Sequence, residues 1–218
     1  TLEEKVAQLF MLMPEQLTNY TQVTQAKGVT KNALEEYPVG GLVYFSKNIQ
    51  EPKQLSEMNQ NIQEFSQDIT NLPMFIGIDE EGGEIARIGN NSNMREIANT
   101  NDTNMARQVG QQIGQYLYEY GINLNFAPVA DVITNPLNKV IGDRSFGTNP
   151  ELVADMSVAY AKGLESQKVY SCMKHFPGHG DTREDSHEGL AYTMKTIEEI
   201  RKTELVPFKA GIEDNITF

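Results

Sequence analysis

All three histidines of this chain fall within fourteen residues, Lys174-His175-Phe176-Pro177-Gly178-His179-Gly180-Asp181-Thr182-Arg183-Glu184-Asp185-Ser186-His187, together with two aspartates and a lysine. The stretch cannot be one helix. Pro177-Gly178 and the two glycines flanking His179 break helical geometry, so its side chains must converge through backbone turns. Just before it, Val169-Tyr170-Ser171-Cys172-Met173 reads as a short buried strand. A titratable loop at the carboxyl end of a buried strand is where α/β barrels and open α/β sheets keep their chemistry.

The preceding chain repeats that pattern. Thr1 with Glu4 is a capping-box pair that opens a helix carrying Val6, Leu9, Phe10 and Met13 on one face, with Pro14 expected to end it. After a polar stretch over residues 19–31, the apolar run 40–45 reads as the first strand. Residues 52–68 read as a helix with Leu55, Met58, Ile62 and Phe65 inward, and 73–79 as the second strand, running into the carboxylate cluster Asp79-Glu80-Glu81. A helix over 105–120, a third strand over 124–132, a helix closing over 157–164 and a fourth strand at Val169 follow. Residues 197–212 read as one more helix and 215–218 as the start of a fifth strand.

Strands buried on both faces and alternating with helices argue for a parallel sheet with right-handed crossovers. Polar residues gather just after the strands: Asp79 and Arg87 after the second, Asp131, Asp143 and Arg144 after the third, Lys174 to His187 after the fourth. That placement at one end is the mark of a (β/α)8 TIM-barrel type of α/β fold whose site is assembled from βα loops. About the first half of such a barrel is expected here, as a single partial domain over residues 1–218.

Charge narrows the function classes. With 18 basic and 30 acidic residues the net charge is −12, which disfavours nucleic acid and anionic membrane as partners and favours neutral or small ligands. The lone Cys172 permits no disulfide framework and is expected as a buried core thiol. Nothing in these residues reads as a signal peptide or as an apolar run of membrane-spanning length. The chain starts within a helical pattern and stops within a strand-like one, so a fragment is expected; export is favoured over a cytoplasmic location.

In Asp185-Ser186-His187, the aspartate can hold one ring nitrogen of His187 and leave the other to exchange protons with substrate. A loop histidine merely bonded to its neighbour is the alternative. Lys174 and His175 can grip adjacent hydroxyls of a polyol, or be a surface ion pair and a packed ring. Asp79 can accept from two vicinal hydroxyls or cap the next turn. Arg87 and Arg144 are expected to pair with carboxylates and orient them. His175, His179, Asp181 and His187 include ligand types that zinc accepts, but the two-ring spacing works only on a helix, which Pro177-Gly178 prevents; no metal and no cofactor is expected. The glycine-rich loops lack the ending of a phosphate loop.

KHFPGHGDTREDSH over residues 174–187 resembles the signature of the β-N-acetylhexosaminidase branch of the family 3 glycoside hydrolases. IDEEGG at 78–83, NFAPVADV at 125–132, GDRSFG at 142–147 and ELVPF at 204–208 match the family in register. The resemblance implies a (β/α)8-type barrel and retaining exo-hydrolysis of terminal β-linked N-acetylglucosamine, as in bacterial cell-wall turnover. It implies that Asp185 and His187 form the catalytic dyad, with His187 the general acid/base, and that Asp79, Arg87, Arg144, Lys174 and His175 hold the carbohydrate substrate. His179 and Asp181 then belong to the loop scaffold.

Glu84 stands where the family commonly has arginine after the double glycine. The family's nucleophilic aspartate would lie beyond Phe218, so the chain alone is expected to be inactive, and its open barrel edges to drive self-association. The competing classes are a β-glucosidase-type family 3 hydrolase, a non-catalytic amino-sugar-binding module, and a metal-dependent hydrolase.

Overall fold

The computed structural model describes residues 1–183 and 189–218, which divide into two compact units. The first comprises Thr1–Asp79 and Tyr116–Asn125. Its helices are α1 (Leu2–Ala7), α2 (Pro14–Thr18), α3 (Gly28–Glu36) and α4 (Pro52–Thr70). Its strands β1 (Met11–Leu12), β2 (Gly41–Tyr44), β3 (Phe75–Ile78) and β4 (Leu124–Asn125) pair in parallel in that order, with Leu42 opposite Ile76 and Ile78 opposite Asn125. Leu42, Ile76 and Ile78 are buried, as are Leu55, Met58 and Ile62 of α4 at their three- and four-residue spacing. This is the α/β, TIM-barrel type of arrangement that the alternation predicts.

The opening of the chain differs from expectation. The Thr1 hydroxyl accepts from the Glu4 amide and the capping box forms, but α1 ends at Ala7. The apolar run after it is used as β1, which the periodicity hid: the Phe10 carbonyl accepts from the amides of Gly40 and Gly41, and Met11 sits opposite Gly41. The 40–45 strand is therefore the second strand. Pro14 starts α2 rather than ending a helix, since its missing N–H is harmless at a first helical position. The polar stretch from residue 19 leads into α3, which composition did not reveal.

The second unit comprises Glu80–Gln115 and Phe126–Phe218, with α5 (Met94–Asn99), most of α6 (Thr103–Glu119), α7 (Pro150–Glu165), β5 (Tyr170–Ser171), α8 (Ile197–Lys202) and α9 (Val206–Glu213). Helix α7 begins well before Ser157 because the Asn149 side chain caps it by accepting from the Glu151 and Leu152 amides. Beyond β5 the Cys172 amide donates to the Ala127 carbonyl, Lys174 donates to Pro128, and Ala130 donates back to Lys174. The third expected strand is thus short, and its continuation over 127–132 is buried, extended chain joined by single bridges at Val129 and Val132. Cys172 is half-buried rather than a core thiol.

The expected 197–212 helix is two helices. Thr203 leaves helical geometry (φ −130°, ψ −78°), and Pro207 sits in the first turn of α9, where it cannot continue a helix from α8. Residues 215–218 form no strand, though the Met173 amide donates a hydrogen bond to the Phe218 carbonyl. Ala130, Met173 and Phe208, with Leu205 and Ile216 against them, make a core cluster under the 174–183 loop. Among the described residues no helix is long and apolar enough to cross a membrane.

Candidate active site

In the second unit, the buried carboxylate of Glu81 gathers two cations. Its oxygens accept from Arg144 Nε at 2.9 Å and Nη2 at 2.8 Å, and Lys174 Nζ lies 2.6 Å from Oε1. Burial alone, the largest single influence, raises the Glu81 carboxyl; the Arg144 and Lys174 hydrogen bonds and charges together outweigh it and hold the group below its ordinary range. Arg144 arrives on a single 3₁₀ turn, Gly142–Arg144, and its Nη1 donates to the Val140 carbonyl at 3.0 Å. The Tyr160 hydroxyl of α7 donates to the Glu81 carbonyl at 3.0 Å. Burial, then the charges of Glu80 and Glu81, push that phenol upward, so it stays a donor.

A second buried carboxylate, Asp131, organises the histidine loop. Its Oδ2 lies 2.6 Å from His175 Nδ1, while Oδ1 accepts from the amides of His175 (3.2 Å) and His179 (2.6 Å). A carboxylate only accepts, so the His175 proton sits on Nδ1. Nε2 then faces Arg144 Nη2 at 3.4 Å as an acceptor. Glu81, Arg144, His175 and Asp131 therefore form one chain of alternating acceptors and donors.

The loop reaches this geometry through its glycines. A Cβ on Gly180 would lie 1.9 Å from the Val132 carbonyl oxygen, and Gly178 combines a φ of +131° with a hypothetical Cβ 2.5 Å from that of Glu204. The close approach at Gly180 lets its carbonyl accept from the amides of Thr134 and Asn135. His179 is turned into the loop, with Nδ1 at 2.6 Å from the Thr182 hydroxyl and Nε2 buried without a hydrogen-bond partner among the described residues.

Of the seven residues singled out from sequence, the structure brings Arg144, Lys174 and His175 together. Asp79 is half-buried just after β3, in the first unit. Arg87 lies in the second unit; of the two arginines expected to pair with carboxylates, Arg144 is seen to do so. The Arg87 amide donates to Glu80 Oε2 at 2.5 Å, and its Nε is buried without a hydrogen-bond partner among the described residues. Glu84 is exposed and lines a cleft of about 360 Å³ with Gly82, Asn93, Asn138, Lys139 and Arg144. Asp185 and His187 lie outside the described residues. Among those described, no group of three His, Cys, Asp or Glu side chains is arranged to hold a metal ion.

Sequence reasoning located Glu80, Glu81 and Asp131 just after strands but assigned them no role as acceptors. Glu80 takes the amides of Arg87, Ile88 and Gly89; Glu81 and Asp131 hold the donors that were recognised. Their signal was the position of Glu80-Glu81 and Asp131 immediately after buried apolar runs, where an acidic side chain has no water to turn to.

The chain is similar to several known proteins. Beta-hexosaminidase A of Pseudoalteromonas piscicida is 39% identical over 189 residues, which cover 80% of this chain and 31% of that protein. Beta-hexosaminidase LpqI of Mycobacterium tuberculosis is 38% identical over 143 residues, covering 63% of this chain and 37% of that one. The chain thus spans about a third of the length of these two relatives. A solved glycoside hydrolase family 3 beta-N-acetylglucosaminidase from Paenibacillus sp. superposes with a TM-score of 0.91 at 36% identity, covering 99% of this chain and 40% of that one. NagZ from Neisseria gonorrhoeae in complex with N-trifluoroacetyl-D-glucosamine gives 0.82 at 29% identity, covering 94% and 60%. The family description "Glycosyl hydrolase family 3 N terminal domain" matches residues 1–218, and the chain belongs to that family.

Proposed function

We propose that the full-length protein carrying this chain is an exo-acting, retaining β-N-acetylhexosaminidase that removes terminal β-linked N-acetylglucosamine, with bacterial cell-wall glycans as the substrate class. The observation that carries the reading is the convergence of Lys174, Arg144 and His175 on the buried carboxylates of Glu81 and Asp131, beside the KHFPGHGDTREDSH loop. Donors locked in place by buried acceptors are preorganised for the oxygens of a sugar. The relatives named above, beta-hexosaminidases and a beta-N-acetylglucosaminidase, support the same substrate class.

In this reading Asp79, Arg87, Arg144, Lys174 and His175 hold the terminal sugar. His187, oriented by Asp185, protonates the glycosidic oxygen while a carboxylate from beyond Phe218 attacks the anomeric carbon. His187 then takes a proton from the water that releases the glycosyl-enzyme, and the anomeric configuration is retained. Expressed alone, the chain self-associates on the side of β1, where Leu2, Leu9 and Phe10 are 72%, 84% and 54% exposed. A monodisperse monomer in sedimentation overturns that last point.

The test is hydrolysis of chromogenic β-N-acetylglucosaminide and β-glucoside by the full-length protein, by this chain and by full-length His187→Ala, across pH 5 to 9. Cleavage of the amino sugar by the first alone, with loss of proton-dependent steps in the variant, supports the reading. Full activity in His187→Ala refutes the acid/base assignment.

A further inference from the structure

Asp181 and Thr193, which flank in sequence the stretch carrying Asp185 and His187, are tied together. Asp181 Oδ2 accepts from the Thr193 hydroxyl, and its Oδ1 accepts from the Thr134 hydroxyl at 2.8 Å and lies 3.1 Å from Lys195 Nζ. Lys195 Nζ also donates to Thr134 Oγ1 at 2.8 Å and to Oε1 of the buried Glu204, whose Oε2 accepts from Thr203. The Asp181 side is fixed to the 134–138 loop as well: Asn135 Nδ2 donates to the Asp181 carbonyl at 3.1 Å, and Asn138 Nδ2 donates to the His179 carbonyl at 2.7 Å.

Lys195 is the joint of this arrangement. One ammonium spreads three donors over a carboxylate before the segment, a carboxylate after it, and the hydroxyl between them. The hydroxyl has one proton and cannot satisfy both carboxylates. Without the ammonium, Asp181 and Glu204 would face each other as like charges across Thr134. Burial, the strongest influence, works against the Lys195 charge, yet Glu204 and Asp181 outweigh it and raise the group above its ordinary range; Asp181 is correspondingly lowered against its own burial.

We propose that Lys195 is a positioning residue of the glycosidase reaction: by holding Asp181, Thr134 and Glu204 at once it pins together the two ends of the segment that carries the proton donor. The inference rests on His187 being that donor. A loop whose ends are tied has far fewer conformations than one anchored at a single end. A general acid must lie within hydrogen-bond reach of the oxygen it protonates, and a misplacement of about 1 Å costs on the order of 10²-fold in rate.

The readout is the dependence on leaving group, because proton donation matters most when the departing alcohol is a poor one. In the full-length protein, kcat and KM are measured for an alkyl and for a 2,4-dinitrophenyl β-N-acetylglucosaminide with Lys195→Met, Lys195→Arg, Thr193→Val and His187→Ala. Lys195→Met is expected to lose on the order of 30- to 100-fold in kcat on the alkyl glycoside and less than about 5-fold on the dinitrophenyl one, with KM within about twofold. Lys195→Arg recovers most of the loss. Thr193→Val, which removes one bond and no charge, shows the same pattern at smaller amplitude and serves if Lys195→Met fails to fold. An equal loss on both substrates, a loss confined to KM, or no loss in either variant overturns the inference while His187→Ala still shows the leaving-group dependence. If His187→Ala shows none, the acid assignment fails first and takes this inference with it.

Discussion

Replacing Asp131 by asparagine tests the hydrogen-bond chain at its buried end. The two carboxylate oxygens do different jobs: Oδ1 accepts two amides, Oδ2 accepts the His175 ring proton. Asparagine is isosteric but has one acceptor. If its oxygen stays with the two amides, its NH₂ confronts His175 Nδ1–H, and the ring proton must move to Nε2. There it meets Arg144 Nη2, a donor, at 3.4 Å. If the amide flips, two backbone N–H groups lose their acceptor in a fully buried place. The first arrangement is the cheaper. It forfeits a charge-assisted hydrogen bond and leaves a donor unmatched, for a total of about 3 kcal/mol. In a chain of this size that corresponds to a fall in Tm of roughly 6–12 °C.

Urea unfolding of the wild type and Asp131→Asn measures the cost, and nitrogen-15 NMR of the imidazole reports which ring nitrogen carries the proton. The expected result is Nδ1–H in the wild type, Nε2–H in the variant, and the stated loss. A loss below about 1 kcal/mol, or a wild-type His175 already protonated at Nε2, would refute the acceptor-donor chain.

Three further perturbations probe other parts of the site. Because the Glu81 carboxyl is held below its ordinary 4.5, its ion pairs contribute stability that is complete above that pH and lost as pH falls through the lower folded value; Glu81→Gln should flatten the acid limb of a stability-pH curve and cost about 3–5 kcal/mol at pH 7 by stranding two cations. Lys195 titrates above its ordinary 10.5, so its contribution is complete below that pH and lost as pH rises through the higher folded value; the alkaline limb measured by denaturation should be shallower in Lys195→Met. Gly180→Ala places a Cβ 1.9 Å from a backbone oxygen that cannot rotate away, and calorimetry should show about 3 kcal/mol of destabilisation, with weakened protection of the Thr134 and Asn135 amides in hydrogen exchange.

Long periodic elements were legible in the sequence. Leu55, Met58 and Ile62 announced α4, and Val109, Ile113 and Leu117 announced α6, because a buried helical face repeats often enough to stand out. Short elements were not. Strand β1 is two residues inside a run whose spacing also fits a helix, and only its pairing with Gly41 and Leu42 decides between them. The split between α8 and α9 was signalled by Pro207, which was overlooked because Ile200 and Phe208 kept a helical spacing on either side of it. At the site, Lys174, His175 and Arg144 were visible as chemistry-bearing types after strands; Glu81 and Asp131 were visible there too but without a role, and Glu204 looked like one of many acidic residues in an acidic chain.

That asymmetry has a physical origin. Among the candidate binding residues of the second unit, Arg144, Lys174 and Arg87 are donor types and His175 gives its Nδ1 proton to Asp131, whereas Glu80, Glu81, Asp131 and Glu204 are each at most 2% exposed. A long cationic side chain has many rotamers, and holding it toward a ligand requires an acceptor behind it that water cannot replace. A carboxylate can be buried in that role only where donors fill its lone pairs, which Glu81 achieves with Arg144 and Lys174 and Asp131 with a ring and two amides. Removing a buried acceptor therefore disorders the donors above it without changing the identity of any group that touches substrate. Under the proposed function, substitutions at Glu81 and Asp131 in the full-length protein should raise KM for a chromogenic β-N-acetylglucosaminide as strongly as substitution of His175 itself, because what they remove is the pre-aligned geometry of the side chains they hold.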